Sequence, residues 1–122
     1  MAKKILIVDD EADVLIALEK RLLDAGYLVF KADNGPAAIR LAKRKKPDLI
    51  LLDVMMPGMD GSQTAQLLKN DAATAEIPIL FLTCLITPQE QGSGHKESGG
   101  NFFIAKPYEP QALIAEIGKY IT

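Results

Sequence analysis

Short apolar runs and amphipathic stretches alternate along the whole chain. Ile5-Leu6-Ile7-Val8 is the first run, rich in β-branched residues, and it stops at Asp9-Asp10. From Ala12 to Ala25, Val14, Leu15, Leu18 and Leu22 recur at helical spacing, with Glu19, Lys20 and Arg21 off that stripe. The pattern predicts an amphipathic helix that Gly26 ends. Tyr27 to Ala32 reads as a strand with Leu28, Val29 and Phe30 at its centre. Asn34-Gly35-Pro36 then starts a helix, a capping asparagine followed by proline in the first turn. That helix buries Ala38, Ile39 and Ala42, and its end at Lys43-Arg44-Lys45-Lys46 matches cations to the negative pole of the helix.

Leu49-Ile50-Leu51-Leu52, bounded by Pro47-Asp48 and Pro57-Gly58, is apolar on both faces and predicts a fully buried strand ending on Asp53. Asp60-Gly61-Ser62 begins a third helix through Leu67 and Leu68. Pro78 to Leu82 is a fourth strand with Thr83 at its end, and Phe102 to Ala105 a fifth with Lys106-Pro107 at its end. Pro110 opens a last helix that buries Leu113, Ile114, Ile117 and Ile121. Strands separated by helices favour right-handed crossovers and therefore a parallel sheet with helices on both faces. The predicted class is a doubly wound α/β fold, a single domain over residues 1–122 with no internal repeat.

Composition narrows the partners. Fourteen basic against sixteen acidic residues give a net charge of −2, which offers no electrostatic case for nucleic-acid or membrane-surface binding. The single cysteine, Cys84, excludes an internal disulfide and a cysteine metal cage, and fits a reducing compartment. The apolar run Ile77 to Ile86 is too short to span a bilayer, and Met1-Ala2-Lys3-Lys4 leads into too few apolar residues for a signal peptide. A cytoplasmic protein is expected.

In an open α/β sheet, ligands bind at the carboxyl ends of the strands. The predicted topology brings Asp9, Asp10, Asp53, Thr83 and Lys106 to that edge. Singly, each has a plain structural use: Asp53 as a turn opener, Asp9-Asp10 as a helix cap, Thr83 as a strand former, Lys106 as a surface lysine. Together they describe a site. Three carboxylates in one cleft repel one another unless a cation sits among them, and oxygen ligands without His or Cys select a hard ion such as Mg²⁺. A phosphoryl group would be clamped between that ion, the Lys106 ammonium and the Thr83 hydroxyl, with the Asp53 carboxylate as its acceptor.

Asp9-Asp10, the stretch Asp53-Val54-Met55-Met56-Pro57-Gly58-Met59-Asp60-Gly61, Thr83 and Lys106-Pro107 resemble, in order and over essentially the whole chain, the receiver domain of two-component response regulators. The resemblance implies a flavodoxin-like (βα)5 fold with strand order 2-1-3-4-5. It implies that Asp53 accepts a phosphoryl group from a histidine kinase or histidine phosphotransfer protein. Asp10, Asp53 and the backbone carbonyl of Met55 would ligate Mg²⁺ directly, and Asp9 largely through water. Thr83 and Lys106 would contact the phosphoryl oxygens, and Phe103 matches the aromatic switch position. Such a domain is regulatory, catalysing only its own phosphotransfer and dephosphorylation, and acts on a downstream protein or a fused output domain.

The chain departs from the family between Pro88 and Asn101, where no large apolar residue occurs. The family has its fourth helix there, and a helix without an apolar face has little to hold it, so a short or disordered fourth helix is expected. Many receivers use the surface around that helix for dimerisation or output; this chain is expected not to use its usual form, or to order it only with a partner. His95 reads as an exposed loop histidine, not a phosphodonor. Two other classes remain open: a degenerate receiver that docks without phosphorylation, and a phosphohydrolase of the haloacid dehalogenase type. The latter carries a second Asp two residues after the first, where this chain has Met55.

Overall fold

The five apolar runs form five parallel strands, and a sixth, polar strand extends their sheet. The structure is a computed structural model that describes residues 2–53, 61–83, 95–98, 101–105 and 110–120, with backbone only at 83, 95–98, 101–105 and 110. The strands are β1 (Lys4–Val8), β2 (Leu28–Ala32), β3 (Leu49–Asp53), β4 (Ile79–Thr83), β5 (His95–Ser98) and β6 (Asn101–Ala105). The helices are α1 (Ala12–Asp24), α2 (Gly35–Lys45), α3 (Gly61–Lys69) and α4 (Pro110–Gly118). The sheet runs β2-β1-β3-β4-β6-β5. All neighbours are parallel except β5, which is antiparallel to β6. With β6 as the fifth parallel strand, the expected order 2-1-3-4-5 holds.

Residues alternate between two cores, as a sheet covered on both faces requires. Ile5, Ile7, Leu49, Leu51, Leu80 and Leu82 face Leu15, Leu18 and Leu22 of α1 and Leu113 and Ile117 of α4. Leu6, Val8, Ile50, Leu52 and Phe81 face α2 and α3, which contribute Ala38, Ala42, Ala65 and Leu68. One face is thus filled by long side chains, the other largely by alanines that let the helices lie close to the strands.

The helix ends follow their local chemistry. After α1, the Tyr27 N–H donates to the Leu22 carbonyl and the Gly26 N–H to the Leu23 carbonyl, with Gly26 at φ 96°. This double bond pattern satisfies two end carbonyls and needs a left-handed residue, which glycine adopts without steric cost. At α2 the Asn34 carboxamide oxygen accepts the Ala37 N–H at 2.8 Å, as expected of a cap. Lys46 ends the helix at φ 48°, a left-handed conformation more costly for a residue with a Cβ.

Among the described residues no helix lies between β4 and β6, in keeping with the expected short or disordered fourth helix; residues 84–94 and 99–100 lie outside the description. The strand β5 was not foreseen, and it corrects the placing of His95 in a loop. The register sets Ser98 opposite Asn101, with Gly99-Gly100 between them in sequence. A two-residue glycine link is a strong hairpin signal, and pairing with β6 supplies the hold that an apolar face lacks.

Candidate functional site

The carboxyl ends of β1 and β3 lie side by side, because Val8 pairs with Leu52. The next residues along each chain are Asp9 and Asp53, so the register itself brings two carboxylates together. Asp9, Asp10 and Asp53 each offer an oxygen within 4.8 Å of the others. Asp9 is fully buried and Asp53 is 5% exposed, whereas Asp10 faces solvent.

Asp9 is held from two sides. Its N–H donates to the Ala32 carbonyl at 3.2 Å, tying it to the end of β2. Its Oδ1 accepts the Glu11 N–H at 2.9 Å. These backbone partners, Ala32 and Glu11, were not foreseen; they are backbone groups, so only an explicit topology could have exposed them. The residue that caps α1 is Glu11, which makes no side-chain cap bond. Neither Asp9 nor Asp10 is therefore spent as the helix cap.

Burying two carboxylates beside a third is costly unless the negative charge is offset. The donor set is all oxygen and mixes two buried groups with one open to water. That suits a hard divalent ion which retains part of its water shell.

The other expected site residues are placed less fully. Thr83 ends β4 on the same edge, opposite Ala105 of β6. Phe103 lies in β6, paired with Phe81. Only the backbones of Thr83 and Phe103 are described. Lys106 follows Ala105 in sequence, and Lys106 and Met55 lie outside the described residues.

A doubly wound parallel sheet with an acidic cluster at the ends of its first and third strands defines a class of signalling domain. The chain belongs to the response regulator receiver domain family, which it matches over residues 5–118. It is 43% identical to the response regulator PleD of Caulobacter vibrioides over 118 residues, which are 96% of this chain and 26% of PleD. Protein PilH of Pseudomonas aeruginosa is 35% identical over 119 residues, 98% of each chain. Among solved structures, the receiver domain of sensor histidine kinase PA1611 from Pseudomonas aeruginosa PAO1 is similar at a TM-score of 0.85 and 26% identity, over 99% of this chain and 98% of that one. That structure has a magnesium ion coordinated in its active site cleft. The chain spans about a quarter of PleD's length and nearly all of PilH's. Among the described residues no helix is long and apolar enough to cross a membrane.

Proposed function

We propose that residues 1–122 form one receiver domain that accepts a phosphoryl group on Asp53, in a Mg²⁺-dependent reaction, from a histidine kinase or histidine phosphotransfer protein. The observation that carries this reading is the convergence of Asp9, Asp10 and Asp53 within 4.8 Å at one sheet edge. Family membership and the magnesium-bound relative support it.

Each residue has a definite part. Asp10, Asp53 and the Met55 carbonyl would hold the ion, with Asp9 acting largely through water. When bound, the ion supplies positive charge that offsets the carboxylates and the phosphoryl oxygens. An oxygen of Asp53 attacks phosphorus as the bond from phosphorus to the donor imidazole nitrogen breaks. The imidazole leaves with the electron pair and takes a proton, and an acyl phosphate remains on Asp53. Lys106 would neutralise a phosphoryl oxygen from the side opposite the ion, and Thr83 would donate its hydroxyl to another. Phe103 would change rotamer as Thr83 moves. Water later attacks phosphorus and restores the carboxylate, so the domain resets itself and turns over no other substrate. The output is control of a downstream protein or a fused domain, in the cytoplasm.

The test is incubation with Mg²⁺ and acetyl phosphate. A base-labile phosphoprotein that forms in the wild type, and neither in Asp53→Asn nor under chelation, is the expected result. No label would make the chain a phosphorylation-independent docking module. Sustained turnover of phosphate esters would make it a hydrolase.

A further inference from the structure

Among the described residues no strand lies beyond β2, which closes one side of the sheet. The Leu28 N–H donates to the Lys3 carbonyl at 2.9 Å, and the Asp9 N–H to the Ala32 carbonyl at 3.2 Å. Backbone groups alternate in direction along a strand, so Leu28, Phe30 and Ala32 turn theirs towards β1. The N–H and C=O groups of Val29 and Lys31 point the other way, out of the sheet edge.

The surface beside this edge is apolar. Ile16, Leu23 and Leu28 are 60%, 50% and 49% exposed, three of the four large apolar side chains so exposed among the described residues. Leu28 belongs to β2 itself. Ile16 and Leu23 flank Glu19 at helical spacing on α1, and the Glu19 carboxylate reaches the Lys31 ammonium at 2.9 Å. A lysine on an edge strand ordinarily keeps other strands away. Here its charge is matched within the same molecule.

The edge is also complementary to itself. A two-fold antiparallel pair of β2 strands sets one residue against its own counterpart at the axis. With Phe30 there, Val29 of each copy falls opposite Lys31 of the other, and both residues point outward, so each such pair exchanges two backbone bonds. Phe30 meets Phe30 in the closer, non-hydrogen-bonded position as an aromatic pair, and Leu28 lies opposite Ala32. An axis on Lys31 would oppose like charges. An axis on Val29 would set Lys31 against Tyr27, whose N–H is already given to the Leu22 carbonyl.

We propose that β2 is a dimer interface, pairing antiparallel with β2 of a second copy of this chain about an axis at Phe30. The two sheets then join into one. Because the paired strands run in opposite senses, the two acidic clusters lie on opposite edges of the joined sheet. The proposal does not depend on phosphorylation of Asp53.

Analytical ultracentrifugation of the whole chain from micromolar to millimolar concentration, with amide exchange followed over the same range, tests it. The mass is expected to double as concentration rises, and exchange at Val29 and Lys31 to slow about tenfold with it, while Leu28 and Phe30, bonded to β1, are protected throughout. Lys31→Pro removes an outward N–H and spares the bonds to β1, so it is expected to abolish the doubling with the circular dichroism spectrum unchanged. Lys31→Glu keeps the N–H but sets an acid beside Glu19, and is expected to move the doubling to at least tenfold higher concentration; it decides the matter if the proline variant does not fold. A monomer at every concentration would overturn the proposal. So would a dimer in which Val29 and Lys31 exchange as fast as in the monomer, since another face would then be paired. Slow exchange at both residues without a change of mass would overturn it too, because the edge would then be covered within one copy.

Discussion

The half of the sheet made by β2, β1 and β3 and the half made by β4, β6 and β5 share one functional edge but are held in different ways. In the first half, β1 and β3 are apolar on both faces, and helices cover each side of them. The carboxylates of Asp9 and Asp53 stand at the ends of strands whose apolar residues are buried on both faces. The second half begins with an equally buried strand, β4, yet ends in β5, whose residues are His, Lys, Glu and Ser. The acceptor and metal-ligand roles proposed for Asp53, Asp9 and Asp10 need fixed geometry, which strands packed on both faces supply.

The largest expected effect lies in the first half. Asp53→Asn keeps the shape of the side chain but removes the nucleophile, so phosphoryl acceptance from acetyl phosphate is expected to vanish while the circular dichroism spectrum is unchanged. Residual labelling at the wild-type level would move the acceptor away from β3 and undo the comparison. Next comes stability. Leu51 is fully buried at the middle of β3, and Leu51→Ala is expected to cost about 2–5 kcal/mol in urea unfolding, from lost burial plus the cavity left behind.

Strand β5 is expected to weigh much less. Lys96→Pro removes one backbone donor from an edge strand, and a single hydrogen bond nets only about 0.5–1.5 kcal/mol. Unfolding in urea should show a loss within that range, with exchange accelerated at its neighbours Glu97 and Ser98. A loss as large as that of Leu51→Ala would make β5 part of the structural core, and the contrast between the halves would fail.

The same contrast explains what the sequence reveals. Branched apolar runs such as Leu49 to Leu52, with turn residues on both sides, leave few alternatives, and a βαβ succession then favours a parallel sheet whose carboxyl ends share one edge, while the strand order follows from the resemblance to the receiver family. The caps at Asn34 and Gly26 were legible because they depend on residues adjacent in sequence. Strand β5 escaped because its residues carry no period of their own. What makes it a strand is the backbone of β6 beside it and the Gly99-Gly100 link, neither of which appears in the apolar pattern of the segment itself. The two backbone supports of Asp9 were hidden for a related reason. A carbonyl at Ala32 and an N–H at Glu11 have no signature in side-chain identity.

The smallest effect concerns a tie between the two halves on the side away from the site. The Lys43 ammonium of α2 lies 2.8 Å from a carboxylate oxygen of Asp71, in the turn that leads towards β4. The other oxygen accepts the Ala73 N–H at 2.9 Å. The Lys43 bond first, and then the Ala73 bond, favour the ionised form and hold the Asp71 carboxyl below its ordinary value of 3.8. A carboxyl depressed in the folded state contributes stability that is fully present above the unfolded value and is lost as pH falls through the folded one. In that window the unfolded chain binds more protons, so stability declines with acid. Lys43 is exposed and Asp71 partly so, so the contribution is small and weakens with salt. Asp71→Asn is expected to flatten the fall of stability below about pH 4, with little change near neutrality, when thermal unfolding is followed across pH at low ionic strength. An unaltered slope would mean that this pair does not hold α2 to the β4 half, leaving the packed cores to join them alone.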